Sequence, residues 1–504
     1  MSNLFTLFQR GFPADQQAFI HSPDGTVLSY GDVRSLSGQL AQYFTSLGLQ
    51  PGDRIAVQVA KSPMALMLYL AALRAGLIYL PLNTAYTDAE MAYFMADAQP
   101  SLLVCEPQRQ AALQNLLAKL DGEAAAAPLV RVLDEHGQAD WLAQLSKYAA
   151  EFEDVSRESD DIAAILYTSG TTGQPKGAML SHGNLAANAY TLTSLWGFTG
   201  DDVLLHALPI FHVHGLFVAC HCVLAAGASM QFLPSFELPA VMAALPQATV
   251  MMGVPTFYTR LLAAPQFSAQ HCANMRLFIS GSAPLLASTH QQFATLTGHK
   301  ILERYGMTET GMLVSNPLQG ERRAGTVGQP LPQVLVRIVN EQNQPLALGE
   351  IGSIQVQGPN VFKGYWRKPE KTAQDFTADG FFITGDQGSI TDDGYISIVG
   401  RAKDMVISGG YNVYPKEVEL VLDAIAGVKE SAVIGLPHSD LGEAVTAIVV
   451  AETELSEAAL IAQAKQKLAA YKVPKQIFFV AALPRNTMAK VQKNQLRAQY
   501  AKAV

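Results

Sequence analysis

Short apolar runs of β-forming residues alternate with segments of helical periodicity as far as about Lys300, and this alternation constrains the fold more than any other feature. A strand that leads through a helix to a second strand of the same sheet returns in parallel, so the pattern specifies stacked α/β layers. Residues 248–253 read as one strand, Pro255 opens a helix to about 262, and residues 276–279 read as the next strand. Ser282 is the expected N-cap of the following helix, with Pro284 in its first turn. Beyond about Leu331 the pattern changes to short alternating strands at 334–339, 353–357, 381–384 and 395–399, separated by Gly, Pro and Asp turns. Such spacing suits a small barrel-like or sandwich layer. After Gly400-Arg401-Ala402-Lys403-Asp404 a new pattern begins: a helix from Pro415, strands at 431–435 and 445–450, and a helix after Ser456. The expected architecture is α/β. A large N-terminal domain (1–399) of doubly wound layers carries a small β-barrel-like layer, and a linker (400–404) leads to a small α+β C-terminal domain (405–504).

Residues 167–177, Y-T-S-G-T-T-G-Q-P-K-G, follow the apolar run 161–166 and precede a helix-like segment starting near Ser181. Glycines and small hydroxyl residues after a strand leave backbone N–H groups free to face an anion. Ser169, Thr171 and Thr172 add hydroxyl donors, and Lys176 closes the loop with a positive charge. The chemistry suits a polyphosphate. It is not a Walker A loop: counted from Gly170, Pro175 stands where the second glycine belongs, and Gly177 follows the lysine.

Bulk properties narrow the function classes. At 504 residues, 49% hydrophobic and 15% charged, the chain has the composition of a globular enzyme with two or three domains. A formal charge of −8 supplies no electrostatic reason to bind nucleic acid or an anionic membrane. The N-terminal residues lack the basic-then-apolar order of a secretory signal. The apolar stretch 64–82 is interrupted by Arg74 and ends at Pro81, and 204–230 contains four histidines and Pro209. Both read as buried core rather than membrane spans. Cys105, Cys220, Cys222 and Cys272 form no disulfide framework, which fits a reducing cytoplasm. Cys220-His221-Cys222 matches no common structural zinc spacing. The Ala-rich residues 123–127 read as a tolerant surface connection.

S-G-T-T-G-x-P-K-G resembles the phosphate loop of the adenylate-forming superfamily, which includes acyl-CoA synthetases, peptide-synthetase adenylation domains and firefly-type luciferases. Segments resembling that superfamily follow in order along the whole chain: 80–87, 206–219, 252–262, 276–286, 302–310, 358–372 and 483–497. They are most similar to its malonate–CoA ligases. The resemblance implies an enzyme that joins malonate to coenzyme A at the expense of ATP, with Mg2+, through an acyl-adenylate. It also implies a mobile C-terminal domain that swings about 400–404. No nucleic-acid partner and no membrane insertion are expected, and the enzyme is expected to be a monomer or weak homodimer. A ligase for methylmalonate or another acid, and a stand-alone adenylation enzyme loading a carrier protein, are the alternatives.

The chemistry explains why these residue types are needed. A carboxylate is a poor electrophile until it gains a leaving group, and its attack on the α-phosphate joins two anions. Positive charge must therefore gather at the α-phosphate and at the leaving pyrophosphate. By resemblance, Lys490 is the catalytic lysine that bridges the carboxylate and α-phosphate. Ala489 stands where the superfamily usually has glycine, and a positive φ there would cost alanine on the order of 1 kcal/mol. Thr308 and Glu309 resemble the pair that meets the α-phosphate and Mg2+, a carboxylate beside a triphosphate being repulsive without a hard cation between them. Thr168, Ser169, Gly170, Thr171, Thr172, Gly173 and Lys176 would cradle the phosphates, with Lys176 also counted as catalytic. Ser280, Gly281 and Ser282 would pass the adenine over bare backbone, with Tyr305 stacked on the base, and Glu303, Arg304, Gly306 and Met307 are also expected to bind ATP/AMP. Asp386 would hold the ribose, with Arg401 a second ribose or phosphate contact. Lys403, Gly409, Gly410 and Asn412 match the hinge and the segment facing the pantetheine arm.

The acid is named by its pocket. Arg260 falls about one turn into the helix after 253–256, near the C-terminal end of a strand, where α/β folds place ligands. Position alone leaves it open between an exposed helix arginine and a pocket residue. A short diacid would bring a second carboxylate for the guanidinium fork, and the resemblance points the same way. His206, His212 and Ser280 are expected beside that carboxylate, whereas His214 and His221 read as core histidines.

Overall fold

The computed structural model describes residues 2–120, 128–168, 175–408, 411–438, 441–487 and 489–501. The Ala-rich segment 123–127, most of the glycine-threonine loop (Ser169, Gly170, Thr171, Thr172, Gly173), and Gly409 and Gly410 lie outside them.

Two mainly parallel sheets make up the N-terminal part. In the larger, nine-stranded sheet, Ser229–Phe232, Val203–His206, Val250–Gly253, Leu277–Ser280 and Leu302–Met307 lie side by side in parallel. In the six-stranded sheet, Leu129–Val132, Leu102–Cys105, Arg54–Gln58, Ile78–Pro81 and Ile162–Thr168 are parallel. Val250–Gly253, Leu277–Ser280, Ile78–Pro81 and Leu102–Cys105 are buried at every residue. Helices cover both faces of such a sheet, so its strands read as continuous apolar runs rather than alternating ones. The helix Pro63–Arg74 runs across this core and is buried along most of its length. Its Arg74, which interrupts the apolar run, is neutralised by Asp154 at 2.6 Å. No helix among the described residues is long and apolar enough to cross a membrane.

The layer expected to be barrel-like is an open antiparallel sheet in the order Leu335–Val339, Gly352–Gln357, Phe382–Ile390, Ile396–Arg401. Its last strand runs into the expected linker: Arg401 still pairs with Asp386, and Ala402–Asp404 forms a 3-10 turn. The C-terminal part has its own five-stranded sheet, built on the long hairpin Val428–His438 and Gly442–Ala451, with separate apolar clusters packed about it. The whole is a mixed α/β chain with a large N-terminal and a small C-terminal domain. Arg497 pairs with Asp404 at 2.7 Å, and Asn83 Nδ2 donates to Thr487 Oγ1 at 3.3 Å, so the C-terminal lysine segment rests against the larger part.

The helix expected to start near Ser181 is present as His182–Leu195, capped by Ser181 and Asn184. Before it, Lys176–Ser181 returns as a strand antiparallel to Ile162–Thr168, and the short run G-A-M-L-S carries too little periodicity to reveal that strand. One local expectation was different in the structure: Ser282 is not an N-cap. It has φ 69°, and the next helix, Ala287–Thr297, is flanked by Leu286 instead. Ser282 Oγ lies 3.2 Å from His214 Nδ1, and a non-glycine residue in this left-handed region is uncommon.

Candidate active site

The parallel strands of the large sheet end together, and His206, Gly253, Ser280 and Glu303 stand at that edge. Ligands of α/β sheets occupy such carboxyl edges because the turns there leave side chains and backbone donors free to converge. Two groups of residues meet in this region.

The first is a chain of charges. Lys176, at the start of its strand, places its ammonium 4.5 Å from the Tyr365 ring centre and 3.8 Å from Asp375. Burial lowers the Lys176 pKa, opposed by Asp375. The Tyr365 hydroxyl donates to Glu309 Oε1 at 3.1 Å. Thr308 and Glu309 sit in the tight turn between Leu302–Met307 and Gly311–Ser315, and Glu309 is buried. Burial raises the Glu309 pKa, while the Tyr365 hydrogen bond, Arg401 and Lys176 pull it back. Arg401 Nε donates to Asp386 Oδ1 at 2.7 Å, and Tyr305 donates its hydroxyl to Asp386 Oδ2. Lys490 lies close to Arg401, Asp386, Lys403 and Asp404. Much of the Lys490 side chain is open to solvent, yet the surrounding protein and then the Arg401 charge push its pKa down. Its N–H donates to Asn486 Oδ1 at 2.9 Å, and Ala489 has φ 59°, the left-handed conformation expected to strain alanine. Thr168 Oγ1 reaches the carbonyl of Lys176 at 3.5 Å. Lys403 is exposed, and Asn412 pairs with Ile407 in an edge strand.

The second group surrounds Arg304. Its guanidinium lies against the bare Cα of Gly281, where a Cβ would meet Cζ at 2.3 Å. Any side chain at 281 would displace it. Arg304 is buried, and its Nε and Nη2 have no hydrogen-bond partner among the described residues. Burial lowers its pKa to about 9. Ser280 Oγ and His214 Nε2, also buried, are unpartnered too. His212 and His214 are both kept neutral, first by burial and then by the Arg304 charge, with His212 brought to about 4. A buried guanidinium with unpaired nitrogens, near a hydroxyl and an imidazole that are also unpaired, suits an anionic guest.

Several expected placements are revised. His206 is not free to meet a carboxylate. Its Nδ1 is taken by Lys61 Nζ at 2.8 Å and its Nε2 by the Gly215 carbonyl at 2.9 Å, so it belongs to the core. His214, read from sequence as core, is buried, with the Arg304 charge acting on it. His221 is a core residue, bonded to the Tyr69 hydroxyl at 2.8 Å. Arg260 is exposed on the helix Pro255–Leu262, 5.7 Å above the Phe236 ring. Arg304, grouped by resemblance with the nucleotide-binding segment, is the buried arginine of this region. Glu303, grouped with it, is buried in contact with the Gly325 backbone, and burial raises its carboxyl to about 8. Gly306 packs against the Gly311 carbonyl, which a Cβ would meet at 2.0 Å, and Met307 N–H donates to Thr310 Oγ1 at 3.3 Å. Sequence reasoning passed over Tyr365, which nothing in its neighbourhood marks apart from its place in the segment 358–372.

Comparison with known proteins follows this geometry. The model of the AMP-binding enzyme family matches residues 6–366, and that of the AMP-binding enzyme C-terminal domain matches 417–490. A malonate–CoA ligase of Arabidopsis thaliana is 35% identical, the match covering 94% of this chain and 85% of that protein. The crystal structure of ATP-bound MatB from Rhodopseudomonas palustris superposes with a TM-score of 0.96 at 50% identity, covering 100% of this chain and 99% of that one. The apo form of the same protein, with the same identity and coverage, gives 0.86.

Proposed function

Because the chain belongs to the AMP-binding enzyme family, we propose that it ligates malonate to coenzyme A in two steps, releasing pyrophosphate and then AMP. The observation that carries the choice of acid is the buried Arg304 guanidinium with two unpartnered nitrogens. A fatty or aryl acid would leave that charge unpaired, which is costly in a dry pocket. Malonate uses one carboxylate for chemistry and offers the other to the guanidinium fork. Ser280 Oγ and neutral His212 and His214 add hydrogen-bonding groups, and Arg260 supplies a second, outer cation that attracts the diacid.

In the first step a malonate oxygen attacks the α-phosphorus, the bond to the β-phosphate oxygen breaks, and pyrophosphate leaves. Lys490 bridges the attacking carboxylate and the α-phosphate. Lys176, Thr308 and the 168–173 loop hold the phosphates, while Asp386 and Arg401 hold the ribose beside Tyr305. Glu309 is a buried hard-oxygen donor next to this charge chain, which fits Mg2+. When bound, Mg2+ neutralises phosphate charge. In the second step the CoA thiol attacks the acyl carbon and AMP departs. We assign Lys403 and residues 409–412 to the face presented for that step, the small domain turning about 400–404. The likeness to the ATP-bound relative over its apo form supports reading the present arrangement as the adenylating one. Four unpaired buried cysteines support a reducing cytoplasm, and we expect a monomer or weak homodimer.

The test is pyrophosphate exchange into ATP with malonate, methylmalonate, isovalerate and octanoate, without an acceptor thiol. Malonate should exchange fastest. Faster exchange with octanoate, or none with malonate, overturns the assignment. Adding CoA or free carrier proteins as acceptors then identifies the second substrate.

A further inference from the structure

Three separate segments meet at Tyr365. The stretch 359–366 runs as a strap between the lysine strand and the Thr308-Glu309 turn. On one side Trp366 N–H donates to the Gly177 carbonyl at 2.8 Å, and Lys363 and Met179 exchange backbone bonds with Met179 and Gly364 at 2.9 Å. On the other side Phe362 N–H donates to the Glu309 carbonyl at 2.8 Å, and Asn360 Nδ2 donates to the carbonyls of Thr310 and Met312 at 2.7 and 2.9 Å. Gly364, at φ 118° and with Thr372 where its Cβ would be, lets the strap turn so that Tyr365 points inward. Tyr365 is 4% exposed. Its ring face carries the Lys176 ammonium and its hydroxyl edge carries Glu309 Oε1.

A lysine and a glutamate left free in such a space would pair directly and cancel each other's charge. Among the described residues no ion pair joins these two, and the carboxylate nearest Lys176 is that of Asp375 at 3.8 Å. We propose that Tyr365 is a positioning residue for adenylation: it holds Lys176 on its face and Glu309 on its edge, fixing their separation so that the ammonium meets phosphate and the carboxylate meets the divalent cation. This inference rests on the adenylating reading above.

Calorimetric titration of the full-length enzyme with ATP, with and without Mg2+, tests it. Tyr365→Phe keeps the ring and removes the hydroxyl. It should weaken the Mg2+ enhancement of ATP binding about tenfold, the worth of a hydrogen bond to a charged group. Metal-free ATP affinity and malonate KM should not change. Tyr365→Leu also removes the ring face and should weaken metal-free ATP binding about threefold. Wild-type Mg2+ enhancement in Tyr365→Phe overturns the proposal. So does a parallel loss of ATP, Mg·ATP and malonate affinity with a falling Tm in both variants, since that marks packing alone. Absence of malonate-dependent pyrophosphate exchange in the wild type would instead refute the adenylating reading, and it leaves the binding ladder measurable.

Discussion

Replacing Arg304 with methionine separates function from stability because the two effects have opposite signs. Arg304 is 4% exposed, and its Nε and Nη2 have no partner among the described residues. Methionine keeps an unbranched apolar side chain against Gly281 and removes the charge. Two charge-assisted hydrogen bonds to the distal carboxylate, at about 1.5–3 kcal/mol each, make the expected loss in kcat/KM for malonate roughly 10²–10⁴-fold. KM for ATP should hardly move. Isovalerate, whose branched end has the shape of a carboxylate but no charge, should be used as well as or better than by the wild type. In the ligand-free enzyme the same substitution removes buried unsatisfied donors that cost about 1–3 kcal/mol each, so its Tm should rise. Added malonate should raise Tm in the wild type and not in the variant. Pyrophosphate exchange gives the kinetic constants and scanning calorimetry the melting temperatures. An unchanged malonate kcat/KM, or an equal loss for malonate and isovalerate, would refute the argument that this charge reads the second carboxylate.

Lys490→Ala should abolish malonate-dependent pyrophosphate exchange while supplied malonyl-AMP still yields malonyl-CoA, and equal loss of both would reassign the lysine. Ala489→Gly relieves the φ of 59°. Glycine's greater unfolded-state entropy offsets part of the gain, so stability should rise by less than about 1 kcal/mol, read as a small increase in urea midpoint. Glu303 has its carboxyl raised to about 8 by burial, against a usual 4.5. The folded state therefore binds the extra proton between those values, and its contribution to stability is present below pH 4.5 and lost as pH rises through about 8. Glu303→Gln should melt like the wild type near pH 4.5 and above it at pH 8.5, and parallel Tm–pH curves would show that burial does not hold the proton.

Alternation of strand and helix is a local pattern, so the layered α/β fold was legible in the chain itself, and the Gly/Thr loop with its lysine and Thr308-Glu309 raised the expectation of phosphate chemistry in the same local way. Pro255–Leu262, Pro415–Asp423 and the Ser456-capped helix Glu457–Ala464 begin where proline and serine place them, because capping involves only neighbours in sequence. Which arginine is buried was decided elsewhere. Arg260 and Arg304 look alike in sequence, and only packing against Gly281 buries one of them while the other rests on Phe236 in solvent. His206 leaves its expected place for the same reason, since the partners of an imidazole come from distant strands and helices. Tyr365 gains its place only when a strap far along the chain is laid between Lys176 and Glu309. Sequence determines what forms through contacts a few residues apart; the charge, burial and hydrogen-bonding partner of a site residue depend on long-range neighbours, and those exist only once the sheets have packed.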